Sequence, residues 1–169
     1  PSAFDPDMLN CIMGPWDDID PSVGGQIYWQ LGGTAPCRYL TVSWYMVPEF
    51  SCNNLICTHQ TVLYETTNII DMFILNKPVC TTWNGGYAIQ GLNNATGTVG
   101  TIVPGRNYPT VWTAANDGQR FTPTGAPQYA FSWLDPNNIV IGNTPTLNVC
   151  PTITTTYTAQ VVNQTCNGP

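Results

Sequence analysis

The sequence predicts an all-β protein, and three observations carry that expectation. Apolar residues make up 43% of the chain while Gly and Pro contribute fifteen each, the make-up of many short strands joined by turns. Leu, Met, Glu, Lys and Arg, which propagate helices at little cost, are sparse, and Gly and Pro interrupt nearly every window of helical length. Leu40, Val42, Trp44 and Met46 alternate with Tyr39, Thr41, Ser43 and Tyr45, the period of two that sets one face of a strand in a core. The expected architecture is an antiparallel β-sandwich followed by a short second β module.

Taken in order, residues 1–24 are rich in Asp and Pro, lack periodicity and read as an irregular lead-in. Residues 25–122 form the sandwich domain. After the alternating stretch at Tyr39, Thr61 to Tyr64 and Ile69 to Leu75 give two strands separated by Glu65-Thr66-Thr67-Asn68, a natural hairpin connector, so the two are expected to pair. Further short strands are expected at Tyr87 to Ile89, Thr98 to Val103, Thr110 to Trp112 and Gln119 to Phe121. Two prolines and a glycine in residues 123–127 end any strand and mark a linker. The remainder, 128–169, offers strands at Tyr129 to Trp133, Ile139 to Ile141, Thr146 to Val149 and Thr154 to Val162. Four strands in so short a piece amount to roughly half an immunoglobulin-like sandwich of about 100 residues. A module of that size relies on a disulfide or a packing partner.

Cysteine usage sets the compartment. Seven cysteines accompany a single histidine, with no CxxC spacing to suggest a zinc set, so disulfides in an oxidising environment are expected. Cys52 and Cys57 bracket a stretch short enough to close as a small loop, Cys150 and Cys166 flank the last strand, and Cys37 with Cys80 remains as a long-range pair. Cys11 is then free or bonded to another chain. Six cysteines allow 15 connectivities, and spacing alone leaves the others open. The net charge is −6, and the four basic residues, Arg38, Lys77, Arg106 and Arg120, are scattered, which argues against nucleic acid as a partner. No apolar run of about eighteen residues is present, so no membrane insertion is expected. The chain has neither an initiating Met nor a signal-peptide pattern and is expected to be a piece of a processed or longer polypeptide.

A resemblance rests on motifs in a fixed order. They are Leu31-Gly32-Gly33-Thr34-Ala35-Pro36-Cys37-Arg38, then Val62 to Ile70, then Trp83-Asn84-Gly85-Gly86-Tyr87 through Asn94. Arg120 to Pro127 and the cassette Val149 to Ala159 follow. With these the chain resembles Bacteroidota cell-surface proteins that carry a gliding-motility-associated, type IX secretion sorting domain. The resemblance implies a nidogen-like β-sandwich followed by an Ig-like or PKD-like repeat, a secreted, cell-surface location and a role in adhesion or gliding. It implies no catalytic residue.

The residues themselves offer few reactive groups. His59 lies two positions from Cys57, the spacing of a conceivable Cys–His dyad, against which stands a strand-edge histidine beside a disulfide. Asp5, Asp7, Asp17, Asp18 and Asp20 crowd the first twenty residues and are the candidate calcium ligands, although they lack the glycine and terminal glutamate of an EF-hand and read more simply as solvated turn aspartates. Glu65 and Asp71 could be cast as paired glycosidase carboxylates, although six residues on one hairpin do not establish the required separation. Trp16, Trp29, Trp44, Trp83, Trp112 and Trp133 are spread evenly, so core packing is expected to take most of them. Asn94-Ala95-Thr96 and Asn163-Gln164-Thr165 match the glycan acceptor pattern. The expected function is therefore a non-catalytic extracellular structural or adhesive segment with no cofactor. Its partners would be neighbouring modules of the same protein, identical subunits or surface glycans. The alternatives are a subunit of a filament assembled by strand complementation and a carbohydrate-binding module.

Overall fold

The computed structural model describes residues 9–125 and 129–163. Among them the fold is all-β, with three antiparallel sheets and a single 3-10 turn at Asn84–Gly86. The largest sheet has five strands: β2 (Gln26–Gly32), β3 (Tyr39–Glu49), β4 (Cys52–Tyr64), β5 (Ile70–Lys77) and β8 (Ala114–Phe121), adjacent in that order. A three-stranded sheet of β1 (Ile12–Trp16), β6 (Ile89–Asn93) and β7 (Gly100–Ile102) faces it, with β6 central. The third sheet is separate, with β9 (Tyr129–Leu134) between β10 (Val140–Gly142) and β11 (Thr158–Asn163).

The alternation from Tyr39 holds as far as Trp44 and fails at Met46, which a bulge leaves exposed, and the β4–β5 hairpin appears where the sequence places it, with Leu63 opposite Ile70 across the Glu65 to Asn68 turn. Several expectations are corrected. The lead-in contains β1, hidden because Met13, Gly14 and Pro15 are buried in succession and show no alternation. Cys52 to Cys57 is no loop but the first half of β4. Thr146 to Val149 forms no strand, and Thr110 to Trp112 contributes one isolated bridge, Tyr87 to Val111.

The two facing sheets meet over β4, β5 and β8. Close approach is possible at Gly14, where a Cβ would come within 2.8 Å of Thr61 Oγ1 and 3.1 Å of the Met72 side chain. Met72 and Ile74 are buried there, Gln90 on β6 approaches Met72, and Ile74, Ala88 and Trp112 form one apolar cluster. The smaller sheet stops short of β2. Residues in register point to the same face, so Ile27 and Trp29 share the inward face of Trp44 and Val42. Even so, Ile27, Trp29 and Leu31 are 50%, 74% and 56% exposed.

Two β-bulges re-aim the strand ends. Trp44 faces His59 and Val47 faces Cys57, so Tyr45 and Met46 together oppose Thr58. Met46 takes a positive φ of 53°, and its N–H is satisfied by Thr58 Oγ1 at 3.0 Å. Thr58 faces Asn76 while His59 faces Ile74, leaving Leu75 as the extra residue. Each bulge shifts the pleat by one residue. Beyond them Val47 and Glu49 on β3, and Lys77 on β5, turn into the interior beside Cys57.

Candidate functional site

The bulges bring four polar side chains into one water-poor cluster. Lys77 Nζ lies 2.6 Å from Asp17 Oδ2, with the lysine side chain fully buried and that of Asp17 only 10% exposed. The same ammonium donates to the Pro78 carbonyl at 2.8 Å and sits 4.9 Å from the Trp112 ring. Glu49, 1% exposed, accepts the Cys57 thiol at 3.1 Å and lines the same cavity as Asp17. Burial, and next the Asp17 charge, push the Glu49 carboxyl up to about 7. The reason is one of charge count: Lys77 is a single cation already paired with Asp17, and a second buried carboxylate beside them keeps its proton. Asp17 Oδ1 is held separately by the Asp18 backbone N–H at 2.9 Å.

Above the cluster opens a cavity of about 240 Å³, lined by Trp16, Asp17, Asp18, Glu49, Trp83 and Tyr87 among others. Asp18 fixes one wall by accepting the Trp83 indole N–H at 2.6 Å, and Phe50 packs on the same indole with ring centroids 4.7 Å apart. Below, Trp112 stands between two cations, because the Arg106 guanidinium also lies 4.9 Å from its ring. Arg106 is itself held by Asp117 at 2.5 Å and by Gln90.

The cysteine pairing expected from spacing is overturned. Cys52 is bonded to Cys80, with Cα atoms 5.8 Å apart, so neither Cys52–Cys57 nor Cys37–Cys80 forms. Residues five apart along an extended strand lie roughly 16 Å apart, far beyond the ~4.4–6.8 Å a disulfide spans. Cys37 is also disulfide-bonded. Cys150 is a free exposed thiol, which removes the Cys150–Cys166 staple; Cys166 lies outside the described residues. Cys11 is free and half-buried, its thiol donating to the Leu9 carbonyl.

The other candidates are dispersed. Cys57 and His59 form no dyad: the thiol donates to Glu49, and burial pushes it well above the ordinary range. Burial, and next the Lys77 charge, pull His59 down to about 4, and it stacks on Trp44 at 4.6 Å with Nδ1 unpartnered. Asp17, Asp18 and Asp20 engage Lys77, Trp83 and Ser22 in turn, and no metal-holding group of acidic, Cys or His residues occurs among the described residues. Asp5 and Asp7 lie outside them. Glu65 and Asp71 belong to separate ion pairs, with Arg38 and Arg120. The tryptophans are less buried than expected, since Trp16, Trp29 and Trp83 are exposed. In the sequence Lys77 stands out only as one of four scattered basic residues, and Glu49 does not stand out at all. The one available signal was a lone lysine closing a strand of apolar residues.

Among the described residues no helix is long and apolar enough to cross a membrane. A family model described as NIDO related matches residues 3–133, a stretch that begins inside the lead-in and runs beyond the linker. No curated protein and no solved structure matches the chain.

Proposed function

Because the chain belongs to the NIDO-related family, an extracellular type of module, we propose that it serves as a non-catalytic structural and adhesive segment of a bacterial surface protein. The order of motifs quoted above favours a type IX-secreted protein of Bacteroidota, acting in adhesion or gliding. The Cys52–Cys80 bridge suits an oxidising compartment. The observation that carries the reading is the uncovered β2 edge, where Trp29 holds 74% of its surface in water. Large aromatics placed this way anchor interfaces and stack on sugars.

The test replaces Trp29 with Ala in the full-length protein in its host and counts cells retained on a surface under flow, with surface display checked by labelling intact cells. Retention several-fold below wild type at equal display supports the reading. Equal retention overturns it.

A filament subunit is the second reading, favoured by the exposed Cys150 thiol together with the outer edge of β2, unpaired among the described residues. A monomeric mass by size exclusion after thiol alkylation would count against it.

A further inference from the structure

We propose that Lys77 and Asp17 are a self-crosslinking pair, joined after folding by an amide between Lys77 Nζ and Asp17 Cγ, with Glu49 as the proton-transfer residue. The inference is independent of the adhesive reading. Its basis is geometric. An amine and a carboxyl group are held 2.6 Å apart in the interior, and a third carboxyl group, that of Glu49, 1% exposed, lines the same cavity as Asp17.

An ordinary buried ion pair is a weak explanation for this arrangement. Burying two charges costs more than their attraction usually returns, and a third carboxyl group beside them raises that cost. An amide would remove both charges. Condensation in water is opposed by solvent and by the improbability of encounter. Reactants fixed in contact behave as if at roughly 10⁵ M or more, and this site is nearly closed to water.

The chemistry balances without any other reactant. A proton passes from the Lys77 ammonium to the Asp17 carboxylate, leaving a neutral amine and a carboxylic acid. The nitrogen lone pair attacks Cγ and the C–N bond forms. Meanwhile the oxygen corresponding to Oδ1 is steadied by the Asp18 N–H at 2.9 Å. Glu49, which carries its own proton, gives it to the departing oxygen and takes one from the nitrogen. The C–O bond to Oδ2 breaks, and that oxygen leaves as water. Glu49 ends as it began, and Lys77 with Asp17 has lost one water in total. The adjoining cavity, which both Asp17 and Glu49 line, gives the water an exit. The bond would tie the segment after β1 to the end of β5, bridging the two facing sheets.

Intact mass of the purified, reduced and denatured chain tests the proposal. The expected mass is short of the sequence by one water, with a branched peptide joining Asp17 to Lys77 after proteolysis. The full sequence mass in a folded chain overturns the proposal. So does a missing water that maps instead to a succinimide at Asp117-Gly118, where an Asp-Gly sequence loses water by itself. The variant Glu49→Gln should keep the full mass, and crosslinking at the wild-type rate would overturn the part assigned to Glu49. Should that variant not fold, Asp17→Asn is the second test. Its expected product has the same amide but forms by loss of ammonia, and a folded Asn variant with no mass loss refutes the pairing.

Discussion

His59 is expected to make the fold acid-labile, and the effect can be isolated by replacing it with Phe, which retains an aromatic ring against Trp44 but does not titrate. The imidazole is 4% exposed, stacked at 4.6 Å, and has no partner for Nδ1, so the folded state holds it neutral. Its value falls from 6.5 in an open chain to about 4 in the fold. At ~1.4 kcal/mol per tenfold change in proton affinity, that gap is worth about 3 kcal/mol. The sign follows from proton counting. Between these two values the unfolded chain binds the proton and the folded chain does not, so stability rises with pH. The contribution is complete above about pH 6.5, drains away as the pH falls, and is gone below about pH 4. Glu49 runs the opposite way, because a carboxyl raised to about 7 takes up its proton first in the folded state. Being present in both proteins, it cancels in the difference. Urea unfolding followed by tryptophan fluorescence, with the disulfides intact, should show wild type losing about 3 kcal/mol relative to His59→Phe between roughly pH 7 and pH 4. A difference that does not move with pH refutes the reasoning.

Three further outcomes are expected. Gly14→Ala places a methyl group 2.8 Å from Thr61 Oγ1 and should lower stability by about 1 to 3 kcal/mol through overpacking, read from the urea midpoint. Replacing Cys52 and Cys80 together with Ser opens a loop whose ends are 28 residues apart, and loop entropy puts the loss at about 3 to 4 kcal/mol by the same measurement. Iodoacetamide should label Cys150 in the native chain early in a time course, while Cys57, buried and held protonated beside Glu49, should react only on unfolding; peptide mass mapping tells them apart.

What could be read from the sequence is what repeats along it. Tyr39 to Met46 announces a strand because alternate positions differ in polarity, and Leu63 with Ile70 announces a hairpin because a four-residue turn separates two such runs. The cluster of Asp17, Glu49, Cys57 and Lys77 was illegible for the opposite reason. Its members come from four segments that meet only in three dimensions, and two of them face inward because Met46 and Leu75 put their strands out of step. Alternation counted through a bulge assigns Glu49 and Lys77 to the wrong face. Cys52 and Cys57 are close in sequence but not in space, because the stretch between them is extended.

The unequal width of the two facing sheets sets the size of whatever meets the chain there. Strands lie about 4.8 Å apart, and with the smaller sheet seated over β4, β5 and β8, a ledge some 10 Å broad remains along the inner side of β2 and β3. That is the footprint of a single hairpin. A lone peptide strand would leave part of Trp29 wet, whereas a whole sheet would collide with the β1 side. A good fit there calls for a narrow, two-ply projection.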